Sequence, residues 1–85
     1  MGLKEEKLVE EIKSVDFHGL TIEEAYEKVD KIVGQTRIAR KALDYKFITG
    51  NGELQLALLQ YLKDVYQIEC GLQYSNHGVI LVYVE

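Results

Sequence analysis

The sequence predicts an α/β domain in the order β-α-β-α-β-β, built on a four-stranded mixed sheet and preceded by a short extra helix. Three observations carry this reading. Ile22, Ala25, Tyr26, Val29, Ile32 and Val33 recur at the 3, 4, 7 spacing of an amphipathic helix, and Leu54, Leu58, Tyr61, Leu62 and Val65 do so again. A short strand precedes each helix, and two strands joined through a helix run parallel by the crossover rule. Ile68, Cys70, Leu72 and Tyr74 alternate at period two before a Ser75-Asn76-His77-Gly78 turn and the run Val79 to Val84, the pattern of a terminal β-hairpin.

Taken in order, residues 3 to 13 read as an amphipathic helix, with Leu8, Val9 and Ile12 on one face and Glu5, Glu6, Glu10 and Glu11 elsewhere. This arm, residues 1 to 13, either packs on the sheet or offers a protein partner a surface. The domain proper is residues 14 to 85. Strand one is Ser14 to Phe17. Thr21 is a good N-cap for the first helix, Glu24 completes a capping box and Leu20 takes the staple position. Gly34 either ends that helix or bends it, and Arg37 to Leu43 form another helical turn or two, with Ile38, Ala39, Ala42 and Leu43 inward. Strand two covers Tyr45 to Thr49, and the second helix runs from Glu53 to about Tyr66.

Length and composition bound the class. Eighty-five residues make one domain with a single core, and 47% apolar with 28% charged residues fits a globular chain. No apolar stretch reaches membrane length, and the Lys/Glu-rich start lacks the apolar region of a leader, so the expected compartment is the cytoplasm. A single cysteine, Cys70, excludes an intrachain disulfide and reads as a buried, reduced thiol. Net charge is −4, which opposes general nucleic-acid binding, yet Lys31, Arg37, Arg40, Lys41 and Lys46 stand against Asp44 alone in the stretch 31 to 46. That stretch carries +4 and the remainder −8.

Two short motifs carry chemistry. Asp16 and His18 stand two apart at a strand end and so share a face. An imidazole takes and gives protons near neutral pH, and an acid beside it orients it or raises its pKa. Thr49-Gly50-Asn51-Gly52 lets backbone N–H groups approach a phosphate at a helix N-terminus. Parallel strands bring both motifs to one sheet edge. The plain alternatives are a structural Asp16–His18 hydrogen-bonded pair and a tight strand-to-helix turn. His77 reads as a turn residue, Arg37, Arg40, Lys41 and Lys46 read equally as a solvated face, and the spacing of the six tyrosines makes no base-stacking platform. No metal-ligand set is recognisable, although Asp16 with substrate phosphate would suit Mg²⁺.

The run Val15-Asp16-Phe17-His18-Gly19-Leu20-Thr21-Ile22-Glu23-Glu24-Ala25 resembles the opening signature L-D-x-H-G-x-T-x-x-E-A of the small MutS-related (Smr) domain, with Val15 for Leu. Thr49-Gly50-Asn51-Gly52 resembles the family's T-G-x-G or H-G-x-G loop, and Asn76-His77-Gly78 with Val79 to Val82 resembles its closing N-x-G turn and last strand. Asn51, where many bacterial members have Lys, and Glu53 beside the loop depart from the pattern. The resemblance covers about residues 14 to 85. It implies a two-layer α/β sandwich and an endonuclease that nicks DNA or cleaves RNA. Asp16 and His18 would be its acid-base pair, Thr49, Gly50, Asn51 and Gly52 its phosphate site, and Arg37, Arg40, Lys41 and Lys46 its steering charges. The competing reading is a non-catalytic module that binds structured nucleic acid or a protein partner, which Asn51, Glu53 and the net charge favour.

Overall fold

A computed structural model describes residues 12 to 50 and 52 to 85. Strands β1 (Lys13–Asp16), β2 (Leu43–Ile48), β3 (Cys70–Gln73) and β4 (Asn76–Val84) alternate with helices α1 (Ile22–Ile38) and α2 (Glu53–Asp64) in the expected order. The sheet runs β1-β2-β4-β3, with β1 and β2 parallel and the other two pairs antiparallel. The arm helix expected over residues 3 to 13 lies outside the described residues apart from its end, where Ile12 is irregular and Lys13 already belongs to β1.

Both helices cover one face, which makes the sandwich two-layered. Ala25, Val29 and Val33 of α1 and Leu58 and Leu62 of α2 form one buried core with Phe17, Tyr45, Phe47, Ile80, Val82 and Val84. Phe47 sits at its centre, with ring centroids 4.7 Å from Phe17 and 5.9 Å from Tyr45. The buried polar groups are satisfied: Thr36 Oγ1 donates to Ile32 O at 2.7 Å and accepts from Tyr45 OH at 2.6 Å. Among the described residues no helix is long and apolar enough to cross a membrane.

α1 starts where the sequence says. Thr21 Oγ1 accepts from Glu24 N at 3.1 Å, Glu24 Oε1 accepts from Thr21 N at 3.0 Å, and Leu20 packs against the core. Its end differs. The helix passes through Gly34 without a break and stops at Ile38, so Ala42 and Leu43 are not helical and Ile38 is 81% exposed. Arg40 takes a left-handed conformation at φ 57°, its N–H bonds to Arg37 O, and Lys41 N–H bonds to Thr36 O, a Schellman closure built without glycine. The helix end therefore frees Leu43 to open β2 two residues early.

Three smaller expectations need correction. Val65 lies beyond the last turn of α2 and is exposed rather than core-facing. The terminal hairpin turns at Tyr74-Ser75, since Asn76, His77 and Gly78 belong to β4, and the pairing slips between Leu72, opposite Ile80, and Gln73, opposite Asn76, which leaves His77, Gly78 and Val79 as three extra residues on β4. Cys70 faces the core from edge strand β3, so it is half-buried, and that partial desolvation raises its thiol pKa.

Candidate functional site

The register brings three chain segments to one edge of the sheet. Asp16 pairs with Ile48, Ile48 pairs with Val79, and Phe17 N–H continues the β1 ladder to Ile48 O at 2.9 Å. The ends of β1 and β2 and the start of β4 are consequently neighbours, and α2 begins beside them at Glu53. Asp16/His18 and the glycine loop do converge, as the parallel crossover requires.

The hydrogen bonds around the expected residues define that geometry. Asp16 Oδ1 accepts from the backbone N–H of His18 at 2.9 Å, so the acid fixes the turn that carries the imidazole instead of gripping the ring. His18 itself is exposed. Lys28, which sequence reasoning passed over, reaches back from α1 to donate to Asp16 O at 3.1 Å, and its Nζ lies 5.3 Å from the centre of the Phe17 ring. Its position flanking the apolar stripe of α1 was the available signal.

The glycine loop is arranged differently from the expected cradle. Gly78 O accepts from both Thr49 N and Gly50 N at 3.0 Å, so the Gly50 N–H is engaged within the sheet. Thr49 is buried, and its hydroxyl donates to Gly50 O at 2.8 Å, which makes it a shaper of the loop and not a contact for ligand. Asn51 lies outside the described residues. What the edge does present is the first turn of α2. Gly52 at φ 116° caps that helix without a side chain, and the N–H groups of Glu53, Leu54 and Gln55 precede the first intrahelical bond, from Leu56 N to Gly52 O. Such an N-terminus carries partial positive charge, the ordinary seat of an anion. Glu53 stands in that same turn and opposes it.

The basic stretch divides. Lys46 lies on the sheet face opposite α1 and α2, beside Ser14 and two pairs down from Asp16. Arg37, Arg40 and Lys41 close the far end of α1, about 25 Å from its start for a 17-residue helix. There Arg37 lies 5.6 Å from the centre of the Tyr66 ring and lines, with Lys63, Ile68 and Tyr83, a groove of about 470 Å³.

Together these features define a two-layer α/β domain whose strand-end acid, exposed imidazole and glycine-capped helix meet on one edge. The chain is an Smr-like domain. Its structure is similar to the crystal structure of the Smr domain of Thermus thermophilus MutS2, with a TM-score of 0.74 and 25% sequence identity over 87% of this chain and 99% of that one. No family model matches the sequence, and no curated protein does.

Proposed function

We propose that this domain binds the phosphodiester backbone of nucleic acid at the edge formed by β1, β2 and the α2 N-terminus and cleaves it there as an endonuclease. The observation that carries the reading is the convergence of exposed His18 with the uncapped first turn of α2. A phosphate on the Glu53 to Gln55 amides would stand beside an imidazole able to activate the attacking oxygen, which is water on DNA or the 2′-hydroxyl on RNA. Asp16 positions that imidazole through its backbone, and Lys28 and Lys46 add positive charge alongside. Arg37, Arg40 and Lys41 are too far to touch the reacting phosphate and would hold flanking backbone. Asp16 would be the residue to hold a Mg²⁺ ion, where one is used, and the ion would supply stabilisation of charge on the substrate phosphate. The expected setting is the cytoplasm.

The non-catalytic reading has its own support, because both Asp16 Oδ1 and Gly50 N–H have structural partners. Cleavage of supercoiled plasmid and of a structured RNA, with and without Mg²⁺, separates the two. The endonuclease reading expects His18→Ala to lose at least 100-fold in rate, the ordinary contribution of a general base, while its melting temperature stays unchanged. Cleavage at the wild-type rate removes His18 from the mechanism, and binding without cleavage by the wild-type chain establishes the module.

A further inference from the structure

The sheet face opposite α1 and α2 is apolar near its centre. β2 and β4 are the two inner strands and pair without a slip from Leu43 opposite Val84 to Ile48 opposite Val79, so alternation assigns a face to every side chain between them. Tyr45, Phe47, Ile80, Val82 and Val84 point into the core. Asp44, Lys46, Ile48, Leu81 and Tyr83 point the other way. Val79 shares that outer face and is buried within the chain, whereas Leu81 and Tyr83 are each 40% exposed and Ile48 is 38% exposed. An antiparallel pair with one solvated face ordinarily carries polar residues there, and both described helices pack on the core side. Apolar side chains this large on inner strands mark a surface that another layer covers.

We infer that this face is an interface between two copies of this chain, packed sheet on sheet about a twofold axis. Charge complementarity selects a second copy as the occupant. Asp44 and Lys46 flank Tyr45 on β2, and their pair partners Tyr83 and Leu81 flank Val82, the partner of Tyr45. A twofold axis lying between the two sheets, across the strands at the Tyr45–Val82 level, runs β2 of one copy antiparallel to β2 of the other. Asp44 of each copy then faces Lys46 of the other, and Leu81 of each faces Tyr83 of the other. One patch so makes two opposite-charge pairs and two apolar pairs with itself, the self-complementarity that an isologous contact requires. Aligned sheets pack about 10 Å apart and cross at about 30°, a gap that interdigitating Leu and Tyr side chains fill. Gly71, the β3 partner of Leu81, brings no side chain to this face and leaves a groove of about 280 Å³ lined also by Asp44, Leu81 and Tyr83, which gives the incoming tyrosine ring room. The interface goes beyond the function proposed above. Asp16 lies three pairs from the axis, with His18 and Gly52 at or beyond that end of the strands, while Lys46 answers to Asp44 of the second copy for as long as the two are joined.

The test is sedimentation equilibrium of the full chain from micromolar to millimolar concentration. Wild type should reach twice the mass of one chain. Asp44→Lys and Lys46→Asp each set like charges opposite one another twice in the dimer, so each alone should weaken dimerisation about 100-fold. An equal mixture of these two variants restores both opposite-charge pairs and should form a mixed dimer within about 10-fold of the wild-type affinity. Circular dichroism checks that each variant is folded. Where a reversal fails to fold, Asp44→Asn and Lys46→Gln, which only remove charge, should each weaken the dimer about 10-fold. A wild type that stays monomeric at every concentration overturns the inference, whether residues 1 to 11 cover the face or nothing does. A dimer that the folded single variants keep at full strength, or a mixture that fails to associate, also overturns it and places any contact elsewhere on the chain.

Discussion

Two polar regions of this small domain use similar groups in opposite ways. On the helix layer, Asp30 Oδ1 accepts from Tyr61 OH at 2.8 Å and from Tyr66 OH at 2.5 Å, Tyr26 stacks on Tyr61 at 4.0 Å, and Arg37 lies over Tyr66. The Tyr61 and Tyr66 hydroxyls share one acceptor there, and the cluster ties α1 to α2. At the strand edge, His18 and His77 are exposed and the first amides of α2 have no intrahelical acceptor. Groups satisfied by one another hold a fold together; groups held in place by their backbones with their reactive ends free are available to a ligand. The tyrosine clasp should therefore govern stability and the edge should govern activity.

The largest break in that comparison would come from the clasp. Asp30→Ala removes the shared acceptor of two phenols and should cost about 1 to 1.5 kcal/mol in a denaturant titration, the upper part of the range for ordinary hydrogen bonds, since solvent screens these exposed ones. Affinity for nucleic acid should not change. The clasp also sets an alkaline limit. Its hydrogen bond to Asp30, followed by burial, raises the Tyr66 pKa from 10.0 to about 12, and the same causes raise Tyr61. A pKa higher in the folded than in the unfolded chain gives stability that is complete below pH 10 and lost on rising toward pH 12. Asp30→Asn should flatten that loss, and a wild-type stability curve level from pH 10 to 12 would show the clasp to be idle.

The next effects come from the two ends of α1, which also show what the sequence can tell. Thr21→Ala should cost about 1 kcal/mol by removing the cap that bonds Glu24 N. That start was legible because capping is side-chain chemistry confined to four residues. The stop was not, because Gly34 continues the helix while Arg40 is driven left-handed by the turn into β2. Arg40→Gly relieves that conformation and should stabilise by about 0.5 to 1 kcal/mol, the smallest effect here. An unchanged midpoint would mean that the left-handed position carries no strain.

The site divides along the same line. The β1 and β2 ends could be paired from sequence, because a helical crossover dictates their direction. The hairpin's place could not, since order β1-β2-β4-β3 inserts β4 beside β2, and only that insertion carries His77 from a presumed turn to the glycine loop. The clasp joins residue 30 to residues 61 and 66, a separation no local pattern encodes. The Gly50 amide looked free because its partner, Gly78 O, lies 28 residues away.

Amide chemical shifts read directly whether this one edge is the binding surface. Titrating the ¹⁵N-labelled protein with a 2′-O-methyl ribo-oligonucleotide, which lacks the attacking hydroxyl, should move Phe17 to Leu20, Gly52 to Gln55, His77 and Gly78 most. Tyr61 and Tyr66 should stay still, and Arg37 to Lys41 should move less and lose their shifts first as salt is raised. Shifts centred on Arg37 to Lys41 with the His18 and Gly52 amides unmoved would contradict it and move the nucleic-acid surface to the far end of α1.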